Sequence, residues 1–186
     1  METKRILKTG GILCAITAVA ALLLGAVNTV TAPVIEENNN KKMQAAMQNV
    51  MKDADNFKEE PFDASDETAD VSAVYKAEKG GEFVGCCISV SPNGYGGAID
   101  MIVGVDKDLK VTGVDIINQS ETAGLGSKST EPEFRGQYVG KGIIDKVVKS
   151  GAKDNEINAI SSATITSKAV TKGVNEAIEA AEKAAE

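Results

Sequence analysis

Three kinds of hydrophobic patterning follow one another along the chain. Residues 9–34 carry no charge, with Lys4, Arg5 and Lys8 before them and Glu36 and Glu37 after them. A helix needs about 20 apolar residues to cross a bilayer core, so this run predicts a transmembrane helix over 9–34, with the basic segment 1–8 in the cytoplasm. The run exceeds the apolar stretch usual in a cleaved signal peptide, although Val30-Thr31-Ala32 would pass as a cleavage site. Beyond it, Met43, Ala46, Met47 and Val50 share one face of a short amphipathic helix predicted over 36–51. Residues 53–70 are acidic and weakly apolar, which reads as a linker or an irregular cap, so 35–70 is expected to be a helical and linker segment.

From Val71 the pattern changes to short runs rich in Val, Ile, Tyr or Phe, at 71–77, 83–90, 98–105 and 111–117. Lys79-Gly80-Gly81, Pro92-Asn93-Gly94 and 106–110 separate them as turn material, and such short connections favour an antiparallel meander. A helical turn is expected over 134–140 and a fifth strand over 143–148. Val170, Val174, Ile178 and Ala181 then recur at the spacing of one helix face. The fold class is therefore α+β: an antiparallel twisted sheet with flanking helices, occupying 71–186 outside the cytoplasm and preceded by one N-terminal transmembrane helix.

Composition narrows the chemistry. A net charge of −7 argues against nucleic acid as a partner, because a binder needs a basic stripe to meet phosphates. The absence of histidine excludes Ser-His-Asp and Cys-His catalysis and removes the commonest neutral metal ligand. Cys14, Cys86 and Cys87 lack zinc or iron–sulfur spacing, and no metal site is expected. Cys14 falls in the apolar run without a lipobox before it. Adjacent Cys86 and Cys87 in a strand point to opposite faces, and at least one is expected to be a small core residue.

Two stretches could carry chemistry. Ser161, Ser162, Thr164, Thr166 and Ser167 crowd hydroxyl groups just before the last helix. Such residues cap the free N–H groups of a first turn, and the same N–H groups with the positive end of the helix dipole form an anion site. A plain capping cluster has the same composition. Residues 120–130 contain Gly124-Leu125-Gly126, whose backbone lets a planar group approach closely, or simply serves a surface turn.

Ser161-Ser162-Ala163-Thr164-Ile165-Thr166-Ser167 resembles the Ser-Gly-Ala-Thr-x-Thr-Ser motif of the FMN-binding domain family, with Asn158 where the wider pattern has Asp and Ser162 where it has Gly. Glu121-Thr122-Ala123-Gly124-Leu125-Gly126 resembles the Glu-Thr-Pro-Gly-Leu-Gly loop of the G subunits of Rnf electron-transport complexes and of the related C subunits of sodium-pumping NADH:quinone reductases. Phe134-Arg135-Gly136-Gln137-Tyr138-Val139-Gly140 resembles a segment that lies between those motifs in the family, and Gly94-Tyr95-Gly96-Gly97 resembles its Gly-Tyr-Gly-Gly segment. The resemblance implies FMN joined to Thr164 by a phosphoester, with Ser161, Ser162, Ala163, Thr166 and Ser167 around the phosphate. It places the ring against Glu121, Thr122, Gly124, Leu125 and Gly126. It further implies an electron-transfer subunit of a membrane-bound, ion-translocating ferredoxin:NAD oxidoreductase, working with other membrane subunits and matured by a separate flavin transferase. A quinone-reductase C subunit, a stand-alone extracytoplasmic flavoprotein and a membrane-anchored binding or structural module without flavin remain open at this point.

Overall fold

The computed structural model of the chain describes residues 2–185; Met1 and Glu186, the outer ends of the expected segments 1–8 and 71–186, lie outside the described residues. Helix α1 (Glu2–Val50) is unbroken. The apolar run 9–34 and all but the last residue of the amphipathic stretch expected over 36–51 are contained in it, and Pro33 lies inside the one long helix. Its apolar part is long enough to cross a membrane, and Leu22, Leu24 and Val30 are exposed in the protein itself.

The chain divides into two compact units, 1–42 and 43–186. The second contains a five-stranded antiparallel meander: β1 (Asn56–Glu60), β2 (Val71–Lys79), β3 (Glu82–Val90), β4 (Asp100–Asp106) and β5 (Val111–Asn118), hydrogen-bonded in chain order. Four of these are the strands expected from the sequence. The edge strand β1 lies in the segment read as a linker, and the reason is its mode of attachment. Its sequence Asn-Phe-Lys-Glu-Glu has little apolar surface, and it joins β2 through backbone pairing reinforced by Lys58–Glu78 at 2.8 Å and Lys76–Glu60 at 3.8 Å. The expected strand at 143–148 is reduced to β6 (Lys146–Val148), which pairs in parallel with β7 (Glu156–Asn158) as a separate two-stranded sheet. Between β5 and β6 the chain makes a 3-10 turn at Gly126–Thr130, helix α2 (Pro132–Arg135) and a second 3-10 turn at Gly136–Tyr138.

Both faces of the meander are covered. Every interior residue of β4, from Met101 to Val105, is buried, as expected for a strand with no polar side chain between its terminal aspartates. On one face Met101, Val103 and Val105 join Ile88 and Val74 against helix α3 (Thr164–Ala185), whose Val170, Val174, Ala177 and Ile178 supply the facing stripe. Tyr138 closes this core, edge-on to Phe134 and hydrogen-bonded to Thr171 at 2.8 Å. On the other face Ile102, Cys87 and Ala77 pack against Ala46, Met47, Val50 and Met51 at the end of α1. Thr112 donates to the Val50 carbonyl at 2.6 Å, satisfying one of the acceptors left over at the helix end. Gly113 permits that approach, since a Cβ there would lie 3.0 Å from Val50 Cα.

Cys86 and Cys87 divide between the two cores, as their alternation in β3 requires. Burial pushes the Cys86 thiol up to about 11 and the Cys87 thiol up to about 12. Both are neutral thiols at pH 7.5, and the thiolate is the reactive form. Site-resolved mass spectrometry with a thiol reagent at that pH should therefore find both unlabelled in the native protein and labelled after unfolding; labelling of either one before unfolding contradicts this packing. Met47→Ala should lower stability by about 2–4 kcal/mol, seen as a lower urea midpoint, because it opens a cavity between α1 and the sheet.

Candidate functional site

A cleft of about 540 Å³ opens where three distant segments meet: the turn after Pro92, the loop after β5 and the start of α3. The loop contributes Glu121, Thr122, Leu125 and Gly126; the helix start contributes Ser162, Ala163, Thr164 and Thr166. The two motifs therefore face each other across one space. Its volume falls in the ordinary range for cofactor sites.

Three expected site residues lie elsewhere. Ser161 borders a separate depression beside Gln137 and Asn158. Ser167 is fully buried, its hydroxyl accepting from Ile160 N–H and donating to the Ala163 carbonyl, both at 2.9 Å. Those bonds fold the 160–163 segment back onto the helix, so Ser167 shapes the motif from beneath. Gly124 sits at the bend of the loop, with φ +75° and its N–H donated to Ser127 Oγ at 2.9 Å.

Two cleft residues were absent from the expected set. Tyr95 is 72% exposed and Ile165 54%, and with Leu125 at 39% they give the cleft an apolar rim. For Tyr95 the available signal was a ring placed between glycines in a chain whose aromatic content is only 4%. Ile165 faces outward from a helix whose opposite face fills the core, so periodicity alone marked it as surface.

Thr164 is the first residue of α3 and is exposed. Among the described residues, the first bond into the helical ladder runs from Ser167 N–H to the Ala163 carbonyl at 3.0 Å. The N–H groups of Thr164, Ile165 and Thr166 thus precede the ladder at the positive end of a helix of 22 residues. Of the nearby hydroxyls, Thr166 and Ser167 are engaged in buried hydrogen bonds, whereas Ser162 and Thr164 are exposed in the cleft, Thr164 on the helix itself among the free N–H groups.

The loop owes its close packing to Gly126. A Cβ there would lie 2.5 Å from Glu121 Oε2 and 2.7 Å from Thr166 Oγ1. Gln137, from the segment between the two motifs, holds the approach to α3: its Oε1 accepts Asn158 N–H at 2.8 Å and its Nε2 donates to the Asn158 carbonyl at 3.3 Å. The Asn158 side chain accepts Ala152 N–H at 3.0 Å, a bond that an aspartate oxygen could make equally well.

Residues 94–179 match the FMN-binding domain family, and residues 1–50 match the RnfG N-terminal region. The G subunit of the Na(+)-translocating ferredoxin:NAD(+) oxidoreductase complex of Acetobacterium woodii is 37% identical, over 96% of this chain and 93% of its own. The G subunit of the proton-translocating ferredoxin:NAD(+) oxidoreductase complex of Clostridium ljungdahlii is 35% identical, over 87% and 83%. Among solved structures, the C subunit of the Na(+)-translocating NADH-quinone reductase of Parabacteroides distasonis shares the fold with a TM-score of 0.59 at 24% identity, covering 80% of this chain and 92% of its own. The folded unit thus carries an FMN-binding domain. The whole chain belongs to the family of G subunits of ion-translocating ferredoxin:NAD oxidoreductase complexes.

Ser162 occupies the position where the flavinylation pattern has glycine, and its φ is +61°. Ser162 thus holds a left-handed conformation that its side chain disfavours, at a cost of about 1 kcal/mol. Ser162→Gly should relieve that strain and, after the ~0.4–1 kcal/mol cost of the added flexibility of the unfolded chain, leave the urea midpoint unchanged or raise stability by up to about 0.6 kcal/mol. A lower midpoint would show that the Ser162 side chain makes a compensating interaction.

Proposed function

We propose that the protein is the FMN-carrying electron-transfer subunit of an Rnf-type, ion-translocating ferredoxin:NAD oxidoreductase, with FMN joined to Thr164 through a phosphoester. The observation that carries this reading is the accessible Thr164 hydroxyl beside the free N–H groups of the α3 first turn, facing the Glu121–Gly126 loop across a cleft with an apolar rim. The cleft suits the chemistry of the group. The N–H groups and helix dipole favour a phosphate, and the rim of Tyr95, Leu125 and Ile165 suits a flat, largely apolar ring.

Bound FMN supplies one- and two-electron transfer, and the protein tunes and positions it. The roles of the chain's own residues follow from where they stand. Thr164 anchors; Ser162 and the N–H groups of the first turn receive the phosphate; Thr122, Leu125 and Gly126 line the opposite wall. Tyr95 and Ile165 give its rim apolar surface. No residue of the cleft needs to act as a general acid or base.

The apolar part of α1 is the membrane anchor in this reading. Lys4, Arg5 and Lys8 before it favour a cytoplasmic N-terminus, which puts the FMN domain outside the cytoplasm. Anchoring keeps the flavin at high effective concentration near the other membrane subunits without a strong soluble interface. A covalent bond suits that compartment, since it prevents loss of a cofactor that could not readily be replaced there. Attachment is assigned to a separate flavin transferase.

Co-expression with a flavin transferase should give a chain whose flavin fluorescence survives denaturing electrophoresis and whose intact mass rises by FMN less one water. Thr164→Val should abolish both while leaving the melting temperature of the unmodified chain nearly unchanged. An unmodified wild-type chain, under conditions that load a control protein, would remove the covalent assignment.

A further inference from the structure

Glu121 does not have the surroundings of a simple contact residue. It is 8% exposed, and both carboxylate oxygens are already engaged by the protein. Oε1 accepts Gly96 N–H at 2.8 Å, and Oε2 accepts the Thr166 hydroxyl at 2.5 Å. One side chain thus bonds to two segments that lie 25 residues before it and 45 residues after it in the sequence.

Its niche is shaped by small residues on both sides. A Cβ on Gly94 would collide with Oε1, and the Gly126 contact described above bounds Oε2. The remaining bonds of the 93–98 turn are local: Gly94 N–H donates to the Gly97 carbonyl at 2.8 Å, and Asn93 bridges Ala98. Local bonds fix the shape of the turn but not its distance from α3. Among the described residues, the bond from Gly96 to Glu121 is the one hydrogen bond that ties this turn to another part of the chain. Tyr95, at its tip, belongs to one wall of the cleft, and Thr166 stands two residues from Thr164 in the other.

We propose that Glu121 is a positioning residue: its carboxylate links the Tyr95 turn to the first turn of α3 and so fixes the width of the cleft. This rests on the flavin reading of the cleft and gives Glu121 a task different from touching the ring. A carboxylate suits the task because it offers two acceptors to two donors with fixed directions. Glutamine can replace it in part, accepting Gly96 N–H through its oxygen and donating to Thr166 Oγ1 through its amide. Alanine can do neither.

The test uses the full chain, co-expressed with a flavin transferase, as wild type, Glu121→Gln, Glu121→Ala and Thr166→Val. Intact mass reports flavin loading; visible circular dichroism reports how firmly the ring is held in an asymmetric site; amide exchange reports the 93–98 turn. Glu121→Ala is expected to retain covalent flavin, to lose most of the flavin dichroism and to exchange the 93–98 amides about tenfold faster, the effect of losing one hydrogen bond of ordinary strength. Glu121→Gln should restore most of the dichroism and slow exchange. Dichroism and exchange in Glu121→Ala equal to wild type would overturn the proposal.

Should Glu121→Ala fail to fold, Thr166→Val decides, because it cuts only the α3 arm: faster 93–98 exchange supports the link, and unchanged exchange rejects it. A wild-type chain that takes up no flavin would sink the flavin reading alone. In that case exchange in the flavin-free chains still decides the link, by the same comparison.

Discussion

A strand that is apolar on both faces has to be covered twice, and β4 sets that requirement for the whole folded unit. Met101, Val103 and Val105 call for α3 on one side, while Ile102 calls for the end of α1 on the other. The first of these packings does more than bury surface. Because Val170, Val174 and Ile178 lock α3 against the sheet, its first turn is held where the loop after β5 can meet it. Burial therefore positions the helix start, and the Glu121 link to the Tyr95 turn acts on top of it. Hydrogen bonds from Gln137 and Ser167 then determine how the chain enters the helix.

The density of hydroxyls at the motif is less redundant than its composition suggests. Ser167 serves the backbone beneath the motif, Thr166 serves Glu121, and Thr171 serves Tyr138. These three buried hydroxyls are satisfied within the protein, as burial demands. Thr164 differs in being accessible at the helix start beside unpaired N–H groups. A chemical distinction among similar side chains thus arises from which of them the fold has already engaged.

Much of this was legible in the residues. The four apolar strands, the amphipathic end of α1 and the buried stripe of α3 follow from periodicity, and most of the cleft follows from the two motifs. What was not legible had other physical causes. Strand β1 carries almost no apolar signal because ion pairs and backbone pairing hold it. Strands β6 and β7 have three residues each, too few for a period to register. Ser161 and Ser167 share the motif with Thr164 but point away from the cleft, an outcome fixed by the local fold at 160–163 rather than by residue type. The glycines around Tyr95 mark its turn, but what brings that turn to the cleft is a contact 25 residues away in sequence.

Ser162 carries a wider consequence. The chain takes the left-handed backbone shape at that position, φ +61°, with serine, which is not the residue type that adopts it most easily. A search that insists on the letter glycine would pass over such a chain, whereas a search for the left-handed residue two places before a helix-initiating threonine would find it. The recognisable unit is a conformation, and the alphabet describes it incompletely.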